Sequence, residues 1–371
     1  MKIAFIGQKG IPATWGGVEY YVDELSRRLV KRGHQVSVYV RYWYTHKRKD
    51  YEGVRLIHTP TLKTKHLDAA LHSLSSSLHA ALMNYDLVHY QGMGPALFSW
   101  LPETAGKKVI ATIHRFDYQA AKWGKFAQKM LKVSERMALT IPQRTIVVAQ
   151  YQKKFYENKG YKVTCITNAV NPQEPLPPHL ISQKYGLTGQ DYILSMGRLT
   201  PEKRVDWLIR AHKEINPGGI KWVIAGGSSA TRTFVEKLHY LARGNPDVIF
   251  TGYVAGKEKQ ELLSNARLFV IPSSVEGLPI ALLEAMSYGL GCLASAIPAH
   301  SEIITEGQDG FLFDHQDFSS FVGRMQAILS NPGALKDAGL RARAKVEKEY
   351  TWDQVVRKTE QVYEEVLGLP R

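Results

Sequence analysis

Short runs of β-branched and apolar residues alternate with longer segments of helical period along the whole chain. In the first half the runs are KIAFIG, QVSVYV, VRLIH, LVHY, KVIATI, TIVVA and VTCIT. Between them, VEYYVDELSRRLVKRG, LDAALHSLSSSLHAALMN and WGKFAQKMLKVSERMAL place apolar residues three and four apart. Continuous apolar strands separated by amphipathic helices predict parallel sheets with helices on both faces. The second half repeats the plan with YILSMG, KWVIAGG, DVIFTG, RLFVIPS, GCLAS and GFLF. Periodicity stops at NAVNPQEPLPPHL, residues 168–180, where four prolines fall close together. The expected fold is therefore α/β, with two Rossmann-like, doubly wound domains at residues 1–170 and 171–351. Two such halves facing each other hold ligands in a cleft at the carboxyl ends of their strands.

Composition narrows the class. At 371 residues, the chain is long enough for two separate cores. With 44% hydrophobic and 22% charged residues it is neither disordered nor fibrous. Cys165 and Cys292 lie inside apolar runs and read as buried strand thiols, not as a disulfide or zinc framework. No apolar stretch is long enough to cross a bilayer. Met1 and Lys2 lead straight into the first strand, so a cytoplasmic location is expected. The formal net charge of +14 is unevenly spread. Residues 1–170 carry 26 Lys+Arg against 11 Asp+Glu, and residues 171–371 carry 22 against 23. An anionic partner is expected for the first half alone: nucleic acid, lipid headgroups or a pyrophosphate-bearing substrate.

Four segments carry candidate chemistry. The loop GQKGIPATWGGVE joins the first strand to a helix, and its Gly16 and Gly17 let backbone approach a phosphate. Its spacing is not that of a dinucleotide site, and a plain tight turn is the alternative. In LSMGRLTPEKRVDWLI, Pro201 is placed to start a helix, with Arg198 and Lys203 at its opening. Cations oppose the dipole there, which makes sense if both converge on a diphosphate; a solvated basic turn is the alternative. The segment IPSSVEGLPIALLEAM sets Glu276 after a strand and Glu284 within an apolar helix, with Gly277, Leu278, Pro279 and Ile280 between them. A carboxylate in such a helix needs a partner, and adjacent ribose hydroxyls suit it. The two glutamates also admit a hydrolase pair or a purely structural role. His114 ends a strand, where it is placed to hydrogen-bond a substrate or to carry a proton.

Together these residues resemble the retaining GT-B glycosyltransferases of family 4. Glu276 and Glu284 match that family's E-x7-E motif, and GRLTPEKR its diphosphate-binding segment. NAVN is similar to its interdomain signature, with Ala169 in place of the usual glycine. KGIPATWGGVE looks like a subgroup that includes bacterial rhamnosyltransferases of capsule and cell-wall polysaccharide assembly. The resemblance implies that Arg198 and Lys203 hold the donor diphosphate and Glu284 the ribose. It gives Glu276 the donor sugar's hydroxyls, His114 a contact near its C6, and Tyr253 and Val254 the base. It places Gly16 and Gly17 near the phosphate and returns the final helix, within residues 352–371, to the first domain. It makes residues 1–170 the acceptor domain and 171–351 the nucleotide-sugar domain. Arg115 stands where the family commonly has glycine, a departure beside the sugar pocket. No cofactor is expected, and no D-x-D-type metal segment is present in the cleft segments.

The basic half points to a membrane. Lys122, Lys125, Lys129, Lys132 and Arg136 recur at spacings of 3, 4, 3 and 4, forming one stripe of a helix, with Phe126, Ala127, Met130, Leu131, Met137 and Ala138 expected on the other side. Arg41-Tyr42-Trp43-Tyr44 and Lys47-Arg48-Lys49 add basic and aromatic character. The expected enzyme is a peripheral one on the inner membrane face, using dTDP-L-rhamnose or a UDP-hexose and a lipid-linked or glycan acceptor. No nucleic-acid fold signature accompanies the charge. A same-fold enzyme on a soluble acceptor and a non-catalytic nucleotide-sugar-binding scaffold are the alternatives.

Overall fold

The computed structural model describes the chain except residues 47, 63, 65, 66, 120–123, 216–218, 228–231, 370 and 371. It divides into two compact units, one of Met1–Ala169 with the C-terminal segment from Trp352, the other of Val170–Thr351.

The first unit holds strands β1 (Lys2–Ile6), β2 (Gln35–Val40), β3 (Asp50–Tyr51), β4 (Val54–His58), β5 (Leu87–Gln91), β6 (Lys108–Ile113), β7 (Arg144–Val147) and β8 (Val163–Cys165). They form one sheet in the order β3-β4-β2-β1-β5-β6-β7-β8, parallel throughout except for the β3–β4 hairpin. Alternation along β1 sends Ile3 and Phe5 to one core and Ala4 and Ile6 to the other, so both faces of the sheet are dry. That is why the strands read as unbroken apolar runs.

The second unit holds β9 (Tyr192–Met196), β10 (Lys221–Ala225), β11 (Val248–Gly252), β12 (Leu268–Ile271), β13 (Cys292–Ser295) and β14 (Phe311–Phe313). All pair in parallel, in the order β11-β10-β9-β12-β13-β14. Both sheets are thus doubly wound, as the alternating pattern predicts. Cys292 is buried in β13, whereas Cys165 in β8 is only half-buried; neither forms a disulfide.

The helix Trp352–Leu367 packs on the helix Gly17–Lys31 of the first unit. Trp352 meets the rings of Tyr20 and Tyr21 at 6.2 and 5.7 Å, with the Arg28 guanidinium 5.0 Å over its indole. The Tyr363 hydroxyl lies 2.7 Å from His89 Nδ1 inside the sheet's core. Glu360 binds Arg32 at 2.7 Å and His34 at 2.9 Å. The last helix is therefore part of the first unit's core although 182 residues of the second unit separate it from Ala169.

Strand order reverses once in each sheet, between β1 and β5 and between β9 and β12. Beyond the carboxyl ends of strands at such a switch point the connections part, leaving a crevice. Gly16, Arg198, Lys203 and Glu276 lie in the segments that leave β1, β9 and β12, whereas His114 follows β6, Tyr253 and Val254 follow β11, and Glu284 lies on a helix.

Candidate functional site

In the second unit, three strand ends are knitted by backbone. Gly197 N–H donates to Ala225 O at 2.9 Å and Gly226 N–H to Gly252 O at 2.7 Å. Gly226 has φ of 143°, and a Cβ there would collide with the Gly197 carbonyl. Only glycine allows this crossing. From it leave Arg198, exposed, and the turn Pro201–Lys203. Here the structure corrects the sequence reading. Pro201 opens a single 3-10 turn, which Arg204 closes in the left-handed region at φ of 48°; the α-helix starts only at Val205. Lys203 is thus not in an α-helical first turn, and the dipole argument does not apply to it.

Lys203 instead pairs with Glu276, whose side chain is only 9% exposed. The two loops are stitched together, since Ser274 donates to Glu202 O through both N–H (2.8 Å) and hydroxyl (3.2 Å). Burial pushes the Glu276 carboxyl up, but the Lys203 ammonium, with His300 and Ser273 nearby, outweighs it and holds the carboxyl below its ordinary range. His300 is fully buried, its Nδ1 2.8 Å from Ser295 O, and burial pushes its pKa down to about 4. A depression lined by Met196, Gly197, Arg198, Lys203, Ala225 and Ser273 lies over β9.

Gly277, Leu278 and Pro279 are buried and lead into the helix Ile280–Ser287, with Pro279 as its cap residue. Glu284, on that helix, binds Lys259 Nζ at 2.5 Å. The partner that its apolar helix demands is thus a lysine of this chain, from the helix Gly256–Asn265. Tyr253 follows β11 and is 53% exposed, while the adjacent Val254 is buried.

In the first unit, Gly16 caps the helix Gly17–Lys31 with φ of 101°, and its Cβ position is occupied by the Glu19 carboxylate. Glu19 accepts from Lys9 N–H at 3.1 Å and Asp23 from Ala13 N–H at 2.7 Å, so the helix's acids tie down the loop before it. His114 sits one residue past β6, its Nε2 2.9 Å from Gln91 Oε1 and its ring 5.2 Å from Tyr21. Burial pushes its pKa down to about 4, with Asp117 opposing. A neutral imidazole that donates through Nε2 leaves Nδ1 as an acceptor. Arg115 folds onto Asp117 at 2.9 Å.

Lys259 has no signal in sequence, because its partner Glu284 lies 25 positions away, and neither His300 nor Ser273 belongs to a recognisable motif. Arg41 is a further correction: it is buried and bound to Asp68 at 2.9 Å, so it adds nothing to a basic surface. Lys122 and Lys47 lie outside the described residues. Among the described residues, no three His, Cys, Asp or Glu side chains cluster to hold a metal ion.

Residues 15–174 match Glycosyltransferase Family 4, and residues 179–345 match Glycosyl transferases group 1. The chain belongs to the GT-B glycosyltransferases. This glycosyltransferase is similar to an uncharacterised one from Methanocaldococcus jannaschii, 25% identical over 391 aligned positions that cover 99% of this chain and 100% of that one. It is 26% identical, over 66% of each chain, to the Escherichia coli UDP-Gal:alpha-D-GlcNAc-diphosphoundecaprenol alpha-1,3-galactosyltransferase. Its backbone matches the crystal structure of Anabaena Alr3699/HepE in complex with UDP-glucose at a TM-score of 0.81 and 17% identity, over 98% of this chain and 100% of that one. That last likeness speaks to the fold alone.

Removing Lys203 strands a buried carboxylate. Lys203→Met is expected to destabilise the second unit by about 3–5 kcal/mol at neutral pH. Glu276, its carboxyl then raised, takes up a proton on acidification, so the deficit relative to wild type should shrink as pH falls towards the carboxylate range. Urea unfolding of both proteins across pH checks this; a deficit that grows on acidification contradicts the pairing.

Proposed function

We propose that this glycosyltransferase moves a hexose, with retention, from a nucleotide-diphosphate sugar to a lipid-linked or glycan acceptor at a membrane surface, in the assembly of cell-surface polysaccharide. The observation that carries it is the Lys203–Glu276 pair beside Arg198 at the β9/β12 switch point. We assign Arg198 and Lys203 to the diphosphate, Glu276 to the sugar hydroxyls and Glu284 to the ribose, with Lys259 as its positioning partner. The backbone of Gly277, Leu278, Pro279 and Ile280 borders the sugar, and Tyr253 and Val254 border the base. His114 is assigned to the sugar, and Gly16 and Gly17 to the phosphate. The bond from the anomeric carbon to the diphosphate oxygen breaks, and the acceptor oxygen bonds that carbon on the same face. The acceptor hydroxyl's proton goes to the departing diphosphate, whose charge Arg198 and Lys203 neutralise without a metal. UDP-glucose bound in the Anabaena protein supports a nucleotide-sugar donor. The diphosphoundecaprenol-linked substrate in the Escherichia coli relative's name supports a lipid-diphosphate acceptor. A dTDP-L-rhamnose donor rests on the KGIPATWGGVE segment.

The membrane reading rests on the helix Lys125–Thr140. Lys125, Lys129, Lys132 and Arg136 are exposed along it, and Met130, expected on the apolar side, is instead exposed like Val133. Each basic residue near an anionic surface contributes about 1 kcal/mol. No described helix is long and apolar enough to cross a membrane.

Incubation with a panel of nucleotide sugars and bacterial membranes should release nucleoside diphosphate from one donor. Arg198→Ala should lower that rate about 10²–10³-fold and Glu276→Ala should abolish it. Tight donor binding with no release under any acceptor condition would instead favour a scaffold. Co-sedimentation with phosphatidylglycerol vesicles should be lost on changing Lys125, Lys129 and Lys132 together to Glu. Unchanged sedimentation would remove this helix from the membrane contact.

A further inference from the structure

We propose that His300 is a positioning residue for Glu276, taking up a proton at Nε2 when the donor's diphosphate draws Lys203 away. The imidazolium then replaces the charge that the glutamate has lost. The tautomer of the free protein follows from the hydrogen bonds around the ring. Nδ1 lies 2.8 Å from Ser295 O and 3.1 Å from Ser295 Oγ. A carbonyl oxygen only accepts, and the Ser295 hydroxyl gives its one proton to Ser273 O. Both Ser295 oxygens must therefore accept from Nδ1, which carries the ring's proton. Nε2 is left as a bare lone pair, buried and without a hydrogen-bond partner. An unpaired acceptor is costly inside a protein, so this one calls for a reason.

The ring is fixed close to the pair it serves. Ser295 ends β13 and Ser273 follows β12, so the bond between them ties His300 to the segment that carries Glu276. Burial keeps the imidazole neutral; of the charges that act on it, Glu276 favours its protonation and Lys203 opposes it. Glu302 lies two positions along, at the end of the short helix Pro298–Ser301. Donor binding reverses this balance, and the inference rests on the proposed function for the movement of Lys203. Of the charges assigned to the donor site, Arg198 and Lys203 against Glu276 leave one positive. A diphosphate diester brings two negative charges, so the occupied site is negative by one. Glu276 accepting from the sugar's hydroxyls stays ionised, and the proton goes to the imidazole beside it. Solvent supplies that proton, which bonds to the Nε2 lone pair and leaves again when Lys203 returns to Glu276.

Titration calorimetry of the full chain with UDP-glucose, UDP-galactose and dTDP-L-rhamnose tests it, because the diphosphate of an intact nucleotide sugar does not itself titrate near neutral pH. Enthalpies at about pH 6, near the ordinary histidine range, in buffers of different ionisation enthalpy report the protons exchanged. Binding of at least one donor should take up protons. Its Kd should tighten severalfold as pH falls from about 8 to about 6, since the bound state holds the extra proton. His300→Asn retains an N–H to give to Ser295 but cannot be charged, so both the uptake and the pH dependence should vanish. On wild-type protein labelled with 15N-histidine, one Nε2 signal should move to the imidazolium position when donor is added. That reading needs no variant to fold. Donor binding with no uptake, uptake unchanged in His300→Asn, or no imidazolium signal overturns the role of His300 and leaves the donor site standing. If no nucleotide sugar binds, the donor reading falls and this inference falls with it.

Discussion

The second unit is organised around one buried charge pair, Lys203 with Glu276. Taking both charges out of water is costly, and apolar residues of similar volume would often be no less stable. Stability alone therefore does not account for the pair. Its surroundings are built to keep it in place. The Gly197–Gly226 crossing lets the β9 and β10 ends approach, and the bonds from Ser274 to Glu202 lock the two carrying loops together. Glu276 stays ionised because Lys203 faces it, and His300 stays neutral because it is buried. A carboxylate and an ammonium held ready in one place fit a ligand that brings both hydroxyls and phosphate charge.

The first unit solves a related problem with neutral groups. His114 is held by Gln91 and by the edge of Tyr21, which packs against Trp352. Thr112, two residues before His114 on β6, bonds His89 Nε2 at 2.7 Å, and His89 bonds Tyr363. The C-terminal helix thus buttresses the histidine by two routes. Its amphipathic sequence folds against the first unit because that is where its apolar face finds a core.

Much of the fold was legible because buried parallel strands are unbroken apolar runs. The two-residue β3 left no trace, since two residues carry no period. The turn Pro201–Lys203 was misread as a helix start. Proline does favour that position, but the left-handed Arg204 that ends the turn has no sequence mark. The loops bearing Lys203 and Glu276 stood out by spacing and resemblance. Their pairing did not, because the residues lie 73 positions apart and meet only through strand order. Lys259, which neutralises Glu284, was hidden for the same reason. Arg41 misled in the opposite sense. Its run of basic and aromatic neighbours looks like surface, yet Asp68 draws it inside. Tertiary partners decide such cases, and local pattern does not contain them.

The most direct measurement is a crystal structure grown with an intact nucleotide-diphosphate sugar. The predicted result has the diphosphate against Arg198 and Lys203, with Lys203 turned from Glu276 to a phosphate oxygen and Glu276 accepting from the sugar's hydroxyls. A nucleotide sugar bound elsewhere, with the Lys203–Glu276 pair intact and no ligand atom within hydrogen-bond reach of it, would contradict the donor site proposed here.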